Sequence, residues 1–162
     1  MAEVALITGM VQAAPALADI ADKEVKKWGL NFSESGWKGK SRKLLLSFIN
    51  SSNSQVKVSD WIMVSGKQHQ GVSSAPFLPG NSRAGMYCEG DGTWMTGVSG
   101  TFKISCGSSY TYVFVSNPYA GCCKVHFADT AADADNYAND GNPKDCRVGK
   151  VTWWVLRFRI CM

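Results

Sequence analysis

No apolar run in these 162 residues reaches the length of about 18 that a membrane-spanning helix needs, so no constitutive span is encoded. Histidine is nearly missing: His69 and His126 are the only two. A four-ligand zinc site or a histidine-based catalytic set has little to draw on. Cys122-Cys123-Lys124-Val125-His126 is the one Cys–His combination, and on a strand a His three residues from a Cys points to the opposite face. No phosphate-binding glycine loop and no Gly-x-Ser-x-Gly elbow is present. The expectation is a protein that is not an enzyme and uses no metal and no cofactor. Charge is sparse too, at 19% of residues, with 17 basic and 13 acidic side chains for a net +4. That excess is too diffuse for a nucleic-acid partner. Lys38, Lys40, Arg42 and Lys43 are the only tight basic cluster. Without interleaved aromatics they read as a solvated loop or sheet edge.

What is present divides the chain in two. Hydrophobic residues make up 45%, enough for one globular domain over 1–162. The first 28 residues form an arm. Val4, Leu6, Ile7, Met10, Val11, Ala14, Leu17, Ala21, Val25 and Trp28 recur at three- and four-residue steps. Gln12, Asp19, Asp22, Lys23, Lys26 and Lys27 gather on the other side. This is the periodicity of an amphipathic helix. Such a helix either covers a core or lies in a membrane interface. Pro15 suits a first turn, so the regular helix is expected from about Pro15 to Lys27.

Residues 29–162 read as β-structure. Leu44 to Phe48 and Trp61 to Val64 are short apolar runs, the second followed by a polar stretch, Ser65 to Ser74, expected as a loop. Thr101–Ile104 and Tyr110–Val115 carry β-branched and aromatic residues. In Val151–Ile160, Trp154, Leu156, Phe158 and Ile160 share one face and Arg157 and Arg159 the other. Thr130–Asn139 is rich in Ala and Asp and is expected to form a short helix. The fold class is mainly β: a β-sandwich flanked by two short helices, with an amphipathic N-terminal segment. Six cysteines in a Gly- and Trp-rich β protein are compatible with disulfides and secretion, with the pairing left open. The N-terminus lacks the basic region of a signal peptide, so export is expected through a leader already removed or by an atypical route. Asn31-Phe32-Ser33 and Asn50-Ser51-Ser52 match the glycosylation pattern.

Thr96-Gly97-Val98-Ser99-Gly100 is followed by Ser116-Asn117-Pro118-Tyr119, and then by Ala132-Asp133 and Tyr137. With the N-terminal arm, this order and spacing resembles the actinoporins, pore-forming cytolysins of sea anemones with relatives in molluscs and other animals. The resemblance covers nearly the whole chain through sparse identities. It implies a sandwich with a helix on each side, secretion, and a pocket that reads the phosphocholine head group of sphingomyelin or a related sphingolipid. Val98, Ser116, Pro118 and Tyr137 fall on pocket positions, with Tyr119 beside them. A quaternary ammonium favours tyrosine faces and a hydroxyl holds a phosphate. The family arginine after the first strand falls at Ile49; Asn50 or Ser51 is the nearest polar substitute.

The implied mechanism is docking, release of the arm, self-association and insertion of one helix per subunit into the target cell membrane. Gln12, Asp19 and Asp22 would line a cation-permeable pore. About 25 helical residues reach roughly 38 Å, more than a hydrocarbon core. The family's membrane-facing Trp/Tyr loop is shortened here to Ala120-Gly121-Cys122-Cys123-Lys124, and Trp94 or Trp61 is expected at the membrane interface instead. The paired tyrosines of the second helix fall near Gly141-Asn142, and the usual Arg-Gly-Asp is absent. The competing reading is a non-lytic lipid- or carbohydrate-binding module like the fungal fruit-body lectins. These share the sandwich but have no need of the arm.

Overall fold

Leu44, Leu46 and Phe48 alternate along the first strand and lose all contact with water. That alternation sets the architecture of the computed structural model, which describes residues 42–90, 96–140, 146–148 and 153–161. The strands are β1 (Lys43–Asn50), β2 (Val56–Ser65), β3 (Lys67–Gln70), β4 (Ser82–Cys88), β5 (Val98–Cys106), β6 (Ser109–Asn117), β7 (Cys123–Ala128), β8 (Cys146–Val148) and β9 (Trp153–Ile160). One helix, α1 (Ala131–Asp140), stands among the described residues. The arm with Gln12, Asp19 and Asp22, and Trp94 in its glycine-rich turn, lie outside them.

The strands form two sheets, ordered β3-β4-β1-β9 and β2-β5-β6-β7-β8. β1 and β9 pair in parallel, with Leu44 beside Trp154 and Phe48 beside Phe158. The other pairings are antiparallel. The molecule is thus mainly β, a two-sheet sandwich. Trp154, Leu156, Phe158 and Ile160 face the interior together with Phe102, Ile104, Val113, Val115 and Val125. Phe48 stacks on its sheet neighbour Phe158 at 5.0 Å and bridges the layers by meeting the edge of Phe102 in the facing sheet at 5.5 Å. Such aromatic pairs add about 0.5–1.5 kcal/mol each beyond burial. At the start of α1, Thr130 Oγ1 accepts the Asp133 N–H at 3.1 Å, an N-cap that closes an orphan donor. The helix packs across β6, β7 and β5.

Two local expectations are corrected. The polar stretch 65–74 contains β3, because Lys67–Gln70 pairs through its backbone with β4, and an edge strand needs no apolar period. Arg42 and Lys43 are not a solvated edge, since both are 4% exposed.

Candidate functional site

Phe114 and Ser116 are alternate residues of β6, so they point to the same side, away from the inner Val113 and Val115. Ser116 is directly opposite Ser99 on β5 and Lys124 on β7; Phe114 is opposite Thr101 and His126. Directly opposed residues of an antiparallel pair share a face. The outer face of the five-stranded sheet therefore carries Ser99, Ser116 and Lys124 in one row, with Ser99 and Ser116 each 8% exposed. Over this row opens a cleft of about 200 Å³, lined by Phe114, Ser116, Pro118, Ala120, Cys122 and Lys124. Its size suits a head group or small anion, below the usual range of about 300–1,000 Å³ for drug-sized ligands. One wall is apolar, through Phe114 and Pro118. The other carries a hydroxyl and an ammonium, the two donors that a phosphate accepts.

The turn that makes the upper wall is held from the other sheet. Arg42 donates from Nε to the Pro118 carbonyl at 3.0 Å and from Nη2 to the Tyr119 carbonyl at 2.9 Å. Its guanidinium lies 4.9 Å from the centre of the Tyr119 ring. Asn117, fully buried, donates from Nδ2 to the Lys43 carbonyl at 3.0 Å, and the Cys123 thiol donates to its Oδ1 at 3.3 Å. Below the turn sits Gly97 at φ 71°. A Cβ there would lie 2.6 Å from the Tyr119 nitrogen and 2.7 Å from the Pro118 Cα, so only glycine allows the approach. Cys122 is disulfide-bonded, whereas Cys123 is a buried free thiol. Burial pushes that thiol up from 9.0 to about 12, and the Arg42 charge only partly opposes the shift. The neighbouring thiol is thereby kept protonated and unreactive toward the disulfide.

Of the residues expected here, Ser116 and Pro118 line the cleft. Tyr119 is half-buried on the Arg42 side. Tyr137 belongs to α1, which packs over β6 and β7, but its side chain lies outside the described residues. Val98 is elsewhere: it points inward and is 1% exposed in the core. Ser51 is at the wrong end of the molecule. It follows Asn50, and the eight residues of β1 place Asn50 roughly 25 Å from Lys43 at about 3.3 Å each. Lys43 is the end that meets Asn117. Asn50 itself is fully buried, its amide donating to the Ser54 and Phe77 carbonyls at 2.8 and 3.0 Å. It is neither a phosphate ligand nor an accessible glycosylation acceptor.

Trp61, expected at a membrane interface, turns inward. It stacks on Tyr87 at 4.1 Å and Phe102 at 4.9 Å, and its indole N–H donates to Met63 Sδ. Arg42 and Lys124 carry no sequence signal of their own, because their roles depend on a partner sheet and on a cross-strand register. Among the described residues, no group of three or more His, Cys, Asp or Glu side chains is gathered as a metal site would need.

No protein-family model matches the chain, and no curated protein matches it in sequence. Among solved structures, the chain is similar to a crystal structure described as the lipid binding protein Nakanori. The TM-score is 0.63 at 11% identity, covering 90% of this chain and 81% of that one. At this identity the likeness concerns the fold.

Proposed function

We propose that this protein binds a phosphate-bearing lipid head group in the cleft between Ser116 and Lys124, and acts on membranes. The observation that carries the reading is the pairing of that hydroxyl and that ammonium, directly opposite each other on adjacent strands, beside Pro118. The lipid-binding description of the similar Nakanori structure supports it. So does the sequence resemblance to the actinoporins. In this reading Lys124 supplies the cation that the family arginine would supply, and Tyr119 and Tyr137 border the head group. The amphipathic arm then enters the bilayer after self-association, so the protein is a secreted pore-forming cytolysin and not an enzyme. A lysine in the cleft favours an anionic phosphate over a neutral sugar, which ranks the carbohydrate-binding alternative second.

The test is dye release and co-sedimentation with vesicles of phosphatidylcholine alone, with sphingomyelin, and with ceramide phosphoethanolamine. Binding and release that require a sphingolipid are expected. Lys124→Ala should weaken binding roughly tenfold to a hundredfold, the range for losing a charged hydrogen bond. A Lys124→Ala protein that binds every vesicle as well as the parent removes the cleft from the mechanism.

A further inference from the structure

Strand β2 changes the face it presents halfway along its length. Val56 and Val58 point into the core and Lys57 is exposed. Were that alternation to continue, Asp60, Ile62 and Val64 would face inward and Trp61 and Met63 outward. Instead Asp60 takes φ 55°, and the pairing with β5 skips between Ser59 and Ile62. This is a β-bulge, and the extra residue reverses the alternation. Trp61 and Met63 turn in onto the core. Ile62 and Val64 turn out and are 54% and 47% exposed. The fold thus places two branched apolar side chains in water where an unbroken strand would bury them.

Their position is specific. Ile62 is directly opposite Thr101, which is opposite Phe114 of the cleft. Ile62 therefore shares the outer face with Phe114, two strand spacings or about 10 Å away, and with Ser116 and Lys124 beyond it, Lys124 being three strands from β2. Charges of both signs stand on the same sheet, with Asp60 on β2 beside Ile62 and Lys124 three strands away on β7, a match for zwitterionic head groups. We infer that Ile62 and Val64 are an apolar anchor that enters the interface of a zwitterionic phospholipid bilayer while the neighbouring cleft holds a head group. The inference rests on the lipid-binding reading. Both lie on the outer face of one sheet, and apolar side chains gain free energy at the boundary between head groups and acyl chains.

The experiment compares the full chain with an Ile62→Ser/Val64→Ser variant. Binding to phosphatidylcholine–sphingomyelin vesicles is measured by co-sedimentation, and binding of free glycerophosphocholine by calorimetry. The variant should bind vesicles roughly tenfold to thirtyfold more weakly, with glycerophosphocholine affinity and melting temperature unchanged. Equal vesicle binding overturns the anchor and leaves the cleft reading intact. A parent protein that binds no vesicle overturns both. A parallel loss of glycerophosphocholine binding, or a parent oligomer that the variant dissociates, also overturns the anchor. A second measurement leaves the core untouched: an environment-sensitive nitrobenzoxadiazole label on Ile62→Cys in a Cys161→Ser background. Among the described free thiols, Cys88, Cys106 and Cys123 are buried and Cys161 is partly exposed. The label should brighten and shift blue when vesicles are added; an unchanged spectrum overturns the anchor.

Discussion

Single residues decide whether the cleft exists. Gly97 lets the Pro118–Tyr119 turn rest against the end of β5, and Arg42 fastens that turn from the opposite sheet. Gly97→Ala combines a left-handed φ with a clash against backbone atoms that have no rotamer to yield. It should cost about 3 kcal/mol in denaturant unfolding and lower vesicle binding at temperatures where the fold survives. Cys123 gives the site a signature at high pH. The unfolded thiol loses its proton near 9.0, but the folded one keeps it to about 12. Its contribution is therefore complete below pH 9 and is lost as pH rises from there, at about 1.4 kcal/mol per unit. The Tyr87 phenol, pushed up by burial, acts in the same direction from 10.0. Lys43 acts in the opposite direction: desolvation lowers its pKa from 10.5 despite Cys88 and Glu89, so its charged form opposes the fold and that penalty is lifted as pH rises toward 10.5. The melting temperature should thus fall above pH 9, and Cys123→Ala should flatten the fall between pH 9 and 10.

Among the elements, β2 is the one whose behaviour a local pattern misstates. Its apolar residues do not alternate with a single phase, because the Asp60 bulge sits between two half-strands. Asp tolerates the left-handed region better than most residues, and glycine better still. Asp60→Gly should leave stability within about 1 kcal/mol. Asp60→Val, branched at Cβ, should lose about 1–2 kcal/mol in thermal or urea unfolding. By contrast, the rows across β5, β6 and β7 follow from uninterrupted register. Val98 faces Asn117 and Cys106 faces Ser109, with no skip between them. That register puts Ser116, which the actinoporin resemblance had singled out together with Pro118, in the lining of the cleft. The short helix over Ala131–Asp140 was equally legible from Thr130 and the following Ala/Asp run.

At the scale of the molecule, the sandwich has two ends with different contents. One end closes with Asn50, Ser52, Ser54 and Cys106, tied by hydrogen bonds among themselves. The other carries the cleft, Arg42, Gly97 and the second half of β2. On the proposed reading, a head-group site at one end leaves the rest of the sandwich as a support for insertion of the arm. Removing residues 1–27 should abolish dye release but preserve first-stage vesicle binding. Undiminished release by the truncated protein would end the pore-forming reading and leave a binding module.

The sequence by itself determined that the chain builds a sandwich and which side of most strands is buried. Alternation such as Trp154, Leu156, Phe158 and Ile160 leaves one low-energy way to hide apolar area. The resemblance the sequence carries also drew attention to Ser116 and Pro118, which line the cleft. Only the tertiary structure decided the rest. Ser51 and Ser116 look equally suited to a phosphate until β1 sets them at opposite ends of the molecule. Val98 and Trp61 look available until the sheet faces turn them inward. Arg42 and Lys124 look like ordinary surface charge until one is buried beneath a turn and the other is aligned with a serine. These assignments depend on register, on a bulge and on contacts between sheets. They arise only when distant segments meet, and no local pattern encodes them.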